Sequence, residues 1–150
     1  MTKKKEEALP ISYPKTIEGR HAQVRFYLGR EVTIGIDRPI GYVHHKGEKT
    51  LVYPINYGFI PDVLGGDGEE LDVYLLGVDT PLECFTGTVI GIVFRADDME
   101  DKLVMAPTGT VYPAAEIAKA ICFQEKYYQT SVLSLDGSRA DVEKEVQIQS

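Results

Sequence analysis

Short apolar, β-branched runs separated by turn residues constrain the fold of this chain most strongly. They occupy residues 23–28, 31–36, 50–53, 72–76, 87–94, 102–105 and 131–135. Gly29 and Arg30 stand between the first two runs and predict a tight hairpin. Strand-like runs at such short intervals predict a mainly-β closed barrel, OB-like in type, rather than βαβ units.

One segment has helical rather than strand periodicity. Between Pro113 and Tyr128 the apolar residues recur at intervals of three and four, and Pro113 suits a first helical turn. This predicts one helix, residues 113–128, packed on the barrel. Phe123 lies off the main stripe and either widens the core-facing side or forms a second patch for another subunit.

The length and charge of the chain narrow its class. With 150 residues, we expect a single domain over residues 22–135, an N-terminal arm over 1–21 and a peripheral tail over 136–150. The net charge of -7 argues against a nucleic-acid surface. The chain shows neither a membrane-length apolar run nor the apolar core of a signal peptide, which predicts a cytoplasmic protein with no membrane partner. Cys84 and Cys122 have no disulfide or zinc spacing.

Four carboxylates lie within six positions, at Asp67, Glu69, Glu70 and Asp72. Carboxylates this close repel one another, and a hard cation between them removes the penalty. Oxygen ligands suit Mg²⁺, which often shares its coordination shell with substrate phosphates. An EF-hand is excluded, because its sixth position requires Gly and a loop starting at Asp67 has Asp72 there. The cluster predicts a divalent-metal site for a phosphate substrate.

Three ordered blocks resemble family I soluble inorganic pyrophosphatases. The first is Tyr-Pro-Ile-Asn-Tyr-Gly-Phe-Ile at residues 53–60, followed by Asp-Gly-Glu-Glu-Leu-Asp at 67–72. The second runs from Asp97 to Val104, and the third covers residues 123–128. The similarity extends from about Val32 to Tyr128, which identifies a short, divergent member of the bacterial type.

The resemblance implies hydrolysis of inorganic pyrophosphate to two phosphates by metal-activated water. It implies several Mg²⁺ ions per site, with Mn²⁺ as a possible substitute, and a homo-oligomer, commonly a hexamer. Glu69 matches the proposed general base, and with Asp67 it forms the expected catalytic pair. The positions matching metal ligands are Asp67, Asp72, Asp97 and Asp101. Those matching phosphate-binding residues are Tyr57, Lys102 and Tyr127.

Several positions depart from the family pattern. Glu69 replaces an Asp, and Tyr128 stands where the family usually has Lys. The shortened spacing after Asp97 also makes Glu100 a candidate ligand in place of Asp101. The upstream region offers candidates without assigned roles: Gly35, Asp37, Arg38, Lys46 and Lys49. His44 and His45 are adjacent on a strand and point to opposite faces, so they cannot readily share a metal, although one of them could contact phosphate.

These departures keep two alternatives open. One is a non-catalytic module that binds metal and phosphate, and the other is a hydrolase of another phosphoanhydride.

Overall fold

A computed structural model describes residues 13–98 and 100–145. The helices are α1, Ile17–Tyr27, and α2, Ala114–Glu125. The strands are β1, Glu31–Arg38; β2, Val43–Lys46; β3, Lys49–Val52; β4, Asn56–Leu64; β5, Glu70–Leu75; β6, Cys84–Arg95; β7, Lys102–Ala106; β8, Thr130–Ser134; and β9, Arg139–Asp141.

Five strands close into a barrel, as the sequence predicts. Their order is β1-β4-β5-β7-β6, and β6 pairs back onto β1. Every pairing in this ring is antiparallel except that of β5 with β7, which is parallel. Strands β8 and β9 extend the sheet from β6, and β2 with β3 forms a separate hairpin.

The core has two layers, because the central strands are buried on both faces. Val73 and Leu75 of β5 join residues from all five barrel strands in one apolar cluster, which is the barrel interior. Tyr74 lies on the opposite face and packs in a second cluster with Ile117 and Ile121 of α2. Burial of each such aliphatic side chain contributes about 1.5–3 kcal/mol.

Helix α2 confirms the predicted packed helix. Four residues of its predicted stripe are buried, Ala114, Ile117, Ala118 and Ile121, while Cys122 is half-buried and the helix ends at Glu125, before Tyr128. Phe123 lies against the same core, with its ring 4.9 Å from that of Tyr53. Phe123 therefore widens the core-facing side. It does not supply a second patch, which removes the one local feature that pointed toward an oligomer.

The strand predicted over residues 23–28 was wrong, because residues 23–27 lie within α1 and Leu28 is its C-cap. The Thr16 side chain caps the helix by accepting a hydrogen bond from Gly19 N at 2.9 Å. Gly29, with φ of 86°, follows the helix end instead of turning a hairpin. The alternation of Val24, Phe26 and Leu28 imitates a strand, yet of these only Val24 is fully buried, Leu28 is half-buried against the same core and Phe26 is exposed.

The C-terminal segment differs from the expected peripheral tail. Strand β9 pairs with β8, and Val142 is buried against α2 and its neighbours. Within residues 136–145, β9 thus extends the sheet and Val142 joins the core beside α2, while most of the other side chains are exposed. The N-terminal arm expected over residues 1–21 overlaps α1, because the helix begins at Ile17 and Arg20 is buried. The parts of the expected arm and tail at residues 1–12 and 146–150 lie outside the described residues. In the described part of the chain, neither helix has the length and apolar character needed to cross a membrane.

Candidate active site

Lys102 is the centre of the candidate site. Its side chain is 2% exposed, and its Nζ donates to Tyr57 Oη at 2.6 Å, Asp72 Oδ2 at 2.9 Å and Glu100 Oε1 at 3.2 Å. The parallel register sets Val73 opposite Leu103, which brings Asp72 and Lys102 side by side one residue earlier. Burial opposes the charge on Lys102, but Tyr57 and Asp72 outweigh it and raise its pKa well above the ordinary value.

A cavity of about 200 Å³ opens above Lys102 between the barrel, α2 and the β2–β3 hairpin. Four side chains of its lining are cationic: Arg38, Lys46, Arg95 and Lys102. Three are carboxylates: Asp37, Asp72 and Glu100. The remaining polar side chains of the lining are neutral: His44, Tyr57, Gln124, Tyr127 and Tyr128. Burial raises the pKa of Tyr57, so its hydroxyl is a neutral hydrogen-bonding group. The cavity combines positive groups that suit phosphate with acidic groups that suit a metal.

A smaller, acidic cavity of about 10 Å³ adjoins the first, because Asp72 and Glu100 line both. Its other carboxylates are Asp67, Glu70 and Asp101. The loop between β4 and β5 supplies Asp67, and the chain entering β7 supplies Glu100 and Asp101. The structure thus brings together three of the predicted metal ligands, Asp67, Asp72 and Asp101.

The donor chemistry of this acidic cavity fits a hard divalent cation. Its five carboxylates supply only oxygen atoms. The buried Asp101 Oδ2 has no hydrogen-bond partner, and its nearest basic group is His21 Nε2 at 3.7 Å. Within residues 13–98 and 100–145, no three His, Cys, Asp or Glu side chains converge tightly enough to coordinate a metal as they stand. The Lys102 ammonium, bonded to both Asp72 and Glu100, supplies the local positive charge instead.

The structure separates two predicted residues from the cavities. Asp97 lines neither; its Oδ1 accepts from Gln129 N at 2.7 Å, and its Oδ2 lies 3.6 Å from Lys144 Nζ. Glu69 is exposed and lines neither cavity, while its backbone N–H donates to Asp67 Oδ1 at 3.0 Å.

Alternation along the extended chain explains why Glu100 rather than Asp101 reaches Lys102. Residues two apart share a face, so Glu100 points to the same side as Lys102 and Asp101 to the other. Asp101 is buried, and its Oδ1 accepts from Arg95 N at 3.0 Å. Burial raises the pKa of Asp101. Glu100 lines both cavities, whereas Asp101 lines only the smaller one.

The predicted phosphate-binding residues all line the larger cavity: Tyr57, Lys102 and Tyr127. Of the two histidines, His44 lines it, whereas His45 Nδ1 lies 3.3 Å from Thr50 Oγ1. Burial and the nearby Arg38 lower the pKa of His44, so at neutral pH it is uncharged.

Cations missed by the motif comparison complete the lining. Arg38 and Lys46 had no assigned role in the sequence, and Arg95 was not a candidate at all. The Arg95 guanidinium lies 3.6 Å from the centre of the Tyr128 ring, beside the position where the family usually has Lys. Gly35, another upstream candidate, has no side chain to offer, and the Phe59 ring occupies the space that a Cβ would enter. No local motif indicates Arg95, because it is the pairing of β6 within the barrel that brings this residue to the cavity.

Comparison with known proteins agrees with this architecture. Residues 34–122, more than half of the chain, match the sequence profile described as inorganic pyrophosphatase. The chain is 34% identical over 71 residues to the inorganic pyrophosphatase of Rickettsia prowazekii, covering 45% of this chain and 41% of that protein. It is 26% identical over 108 residues to the Helicobacter pylori enzyme of the same name, covering 68% and 58%.

A solved structure shares the fold. The crystal structure of inorganic pyrophosphatase from Ehrlichia chaffeensis matches with a TM-score of 0.50 and 22% identity, over 77% of this chain and 88% of that one. The aligned segment spans only about two fifths of the length of the Rickettsia relatives. On the profile match over residues 34–122, the chain belongs to the inorganic pyrophosphatase family.

Proposed function

We propose that this protein is a Mg²⁺-dependent inorganic diphosphatase that hydrolyses pyrophosphate to two phosphates. The observation that carries the proposal is the buried Lys102 ammonium, held by Tyr57, Asp72 and Glu100 where a cationic cavity adjoins an acidic one. A multiply charged phosphate needs cations on its oxygens, and a hydrolytic water needs carboxylates beside it. Family membership supports the same reaction.

Each group has a role that follows from its chemistry. Arg38, Lys46, Arg95 and Lys102 would bind phosphate oxygens, with Tyr57 and Tyr127 as neutral hydrogen-bonding groups. The carboxylates of the acidic cavity would hold the divalent cations, with Mn²⁺ as a substitute for Mg²⁺. Such cations neutralise substrate charge and lower the pKa of a coordinated water. The homo-oligomer and the cytoplasmic location stay predictions.

We expect phosphate release from pyrophosphate with Mg²⁺, at a turnover of about 1–10³ s⁻¹, and its loss with excess EDTA. Tripolyphosphate and ATP, tested in parallel, separate a diphosphatase from a hydrolase of other phosphoanhydrides. Tight pyrophosphate binding without turnover in Mg²⁺ or Mn²⁺ would identify a non-catalytic binding module. If micromolar protein releases no phosphate from any of these substrates, the proposed enzymatic activity is refuted.

The catalytic pair predicted from the sequence, Asp67 and Glu69, can be resolved by two amide substitutions. Asp67 lines the acidic cavity and Glu69 does not, so we expect Asp67→Asn to lower kcat by about 10²- to 10⁴-fold, the usual contribution of a general base. Glu69→Gln should remain within a few-fold of the wild type. A larger loss for Glu69→Gln than for Asp67→Asn would assign the base to Glu69.

A further inference from the structure

A continuous row of buried polar side chains connects two arginines of the larger cavity. Arg38 Nη1 donates to Tyr53 Oη at 2.6 Å, and Tyr53 donates to Gln124 Oε1. Gln124 Nε2 donates to Tyr74 Oη at 2.7 Å, and Tyr74 donates to Glu125 Oε2 at 2.5 Å. Glu125 in turn binds Arg95. The row therefore crosses from β1 to β6 through α2.

The two ends of this row fix the direction of every hydrogen bond in it. Arginine can only donate, and an ionised carboxylate can only accept. Each hydroxyl must therefore accept from the Arg38 side and donate toward Glu125. The residue between the two tyrosines needs an acceptor on one side and a donor on the other, which the Gln124 amide provides. Hydrogen bonds aligned in one direction polarise and strengthen one another.

Arg95 is oriented by carboxylates but keeps free N–H groups. Its Nε and Nη2 donate to the two oxygens of Glu125 at 2.9 and 2.8 Å, and its Nη1 donates to Asp98 Oδ2 at 3.1 Å. A guanidinium has five N–H donors, and these contacts use one hydrogen on each nitrogen. The remaining hydrogen on Nη1 and on Nη2 can serve a ligand in the cavity that Arg95 lines.

We propose that Gln124 and Glu125 are positioning residues, which hold Arg38 and Arg95 in the orientation that binds the phosphate groups of the substrate. The inference rests on the proposed function and extends it to two residues of α2. Both are nearly fully buried, with Gln124 7% and Glu125 0% exposed. A pre-oriented arginine loses less freedom on binding than a mobile one, so the row improves substrate affinity.

The test is the affinity for methylenediphosphonate, a pyrophosphate analogue that cannot be hydrolysed at its bridge, measured by calorimetry with Mg²⁺. We expect Glu125→Gln and Gln124→Met each to weaken binding about tenfold and to raise KM for pyrophosphate more than they lower kcat, as loss of uniform binding predicts. The matched control is Ile121→Val, a buried apolar change on the same helix, which should stay within twofold of the wild type.

A double-mutant cycle separates positioning from general destabilisation. If Glu125 acts through Arg95, then Glu125→Gln should add no further loss in an Arg95→Lys background. Independent, multiplying effects would overturn the proposal, as would wild-type affinity in Gln124→Met. Circular dichroism checks that each variant is folded. If Glu125→Gln does not fold, the affinity of Gln124→Met tests the proposal.

The binding arm also separates this inference from the proposed function. If the wild type binds the analogue but does not turn over pyrophosphate, the proposed hydrolase is refuted. The positioning inference is then tested by the analogue affinities of the variants alone. A wild type that turns over pyrophosphate, with unchanged analogue affinity and unchanged KM in both α2 variants, refutes the positioning inference and leaves the hydrolase in place.

Discussion

Replacing Asp72 with asparagine should nearly abolish pyrophosphate hydrolysis while the fold survives. Asp72 lines both cavities and accepts a hydrogen bond from Lys102, so the change removes one anionic oxygen at the point where the two cavities meet. Loss of an outer-shell partner of a metal typically costs about 10- to 100-fold, and we expect a larger loss for a direct ligand. The shape of the side chain is unchanged.

Steady-state phosphate release with saturating Mg²⁺ measures this effect. Asp79→Asn is the matched control, because it makes the same chemical change at an exposed position outside both cavities. Its activity should equal that of the wild type. Activity of Asp72→Asn within a few-fold of the wild type, with an unchanged melting temperature, would remove Asp72 from the metal site.

The second large effect concerns stability. Glu125 is fully buried and bonds to Arg95, Tyr74 and Thr130, with Thr130 Oγ1 donating at 2.8 Å. Breaking a buried ion pair by removing one partner costs about 3–5 kcal/mol, because the other charge is left uncompensated. We expect Glu125→Gln to lower the free energy of unfolding by an amount in this range, measured by urea denaturation. A loss below about 1 kcal/mol would contradict the pairing.

The same pair predicts how this stability difference depends on pH. Burial alone would raise the pKa of Glu125, but the hydrogen bonds and charge of Arg95 outweigh burial and lower it. A lowered folded-state pKa stabilises the protein above the unfolded value of about 4.3, and this stabilisation is lost as pH falls through the folded value. The gap between wild type and Glu125→Gln should therefore be constant near neutrality and shrink below about pH 4. If the stability difference between the wild type and Glu125→Gln grows at acidic pH, the folded-state pKa of Glu125 is not lowered.

The sequence alone predicted the elements whose signal is local. Apolar, β-branched runs predicted four of the five barrel strands, β1, β5, β6 and β7, but not β4. The spacing of three and four residues predicted α2, because a packed helix buries one regular face. The acidic loop and the Tyr57 block were recognisable because their residues lie close together along the chain. Strand alternation also predicted that His44 and His45 would separate, and only His44 lines the larger cavity.

Tertiary structure decided what depends on contacts between distant segments. Residues 23–28 read as a strand, yet the Thr16 cap and the burial of Val24 select a helix. Barrel closure brings Arg95 to the larger cavity. Its partner Glu125 lies 30 residues later in the chain, and no local pattern indicates that pairing. The turn after β6 directs Asp97 toward β8 and Glu100 toward Lys102. A motif can thus specify the kinds of ligand at a site, whereas backbone pairing across the barrel determines which side chains meet there.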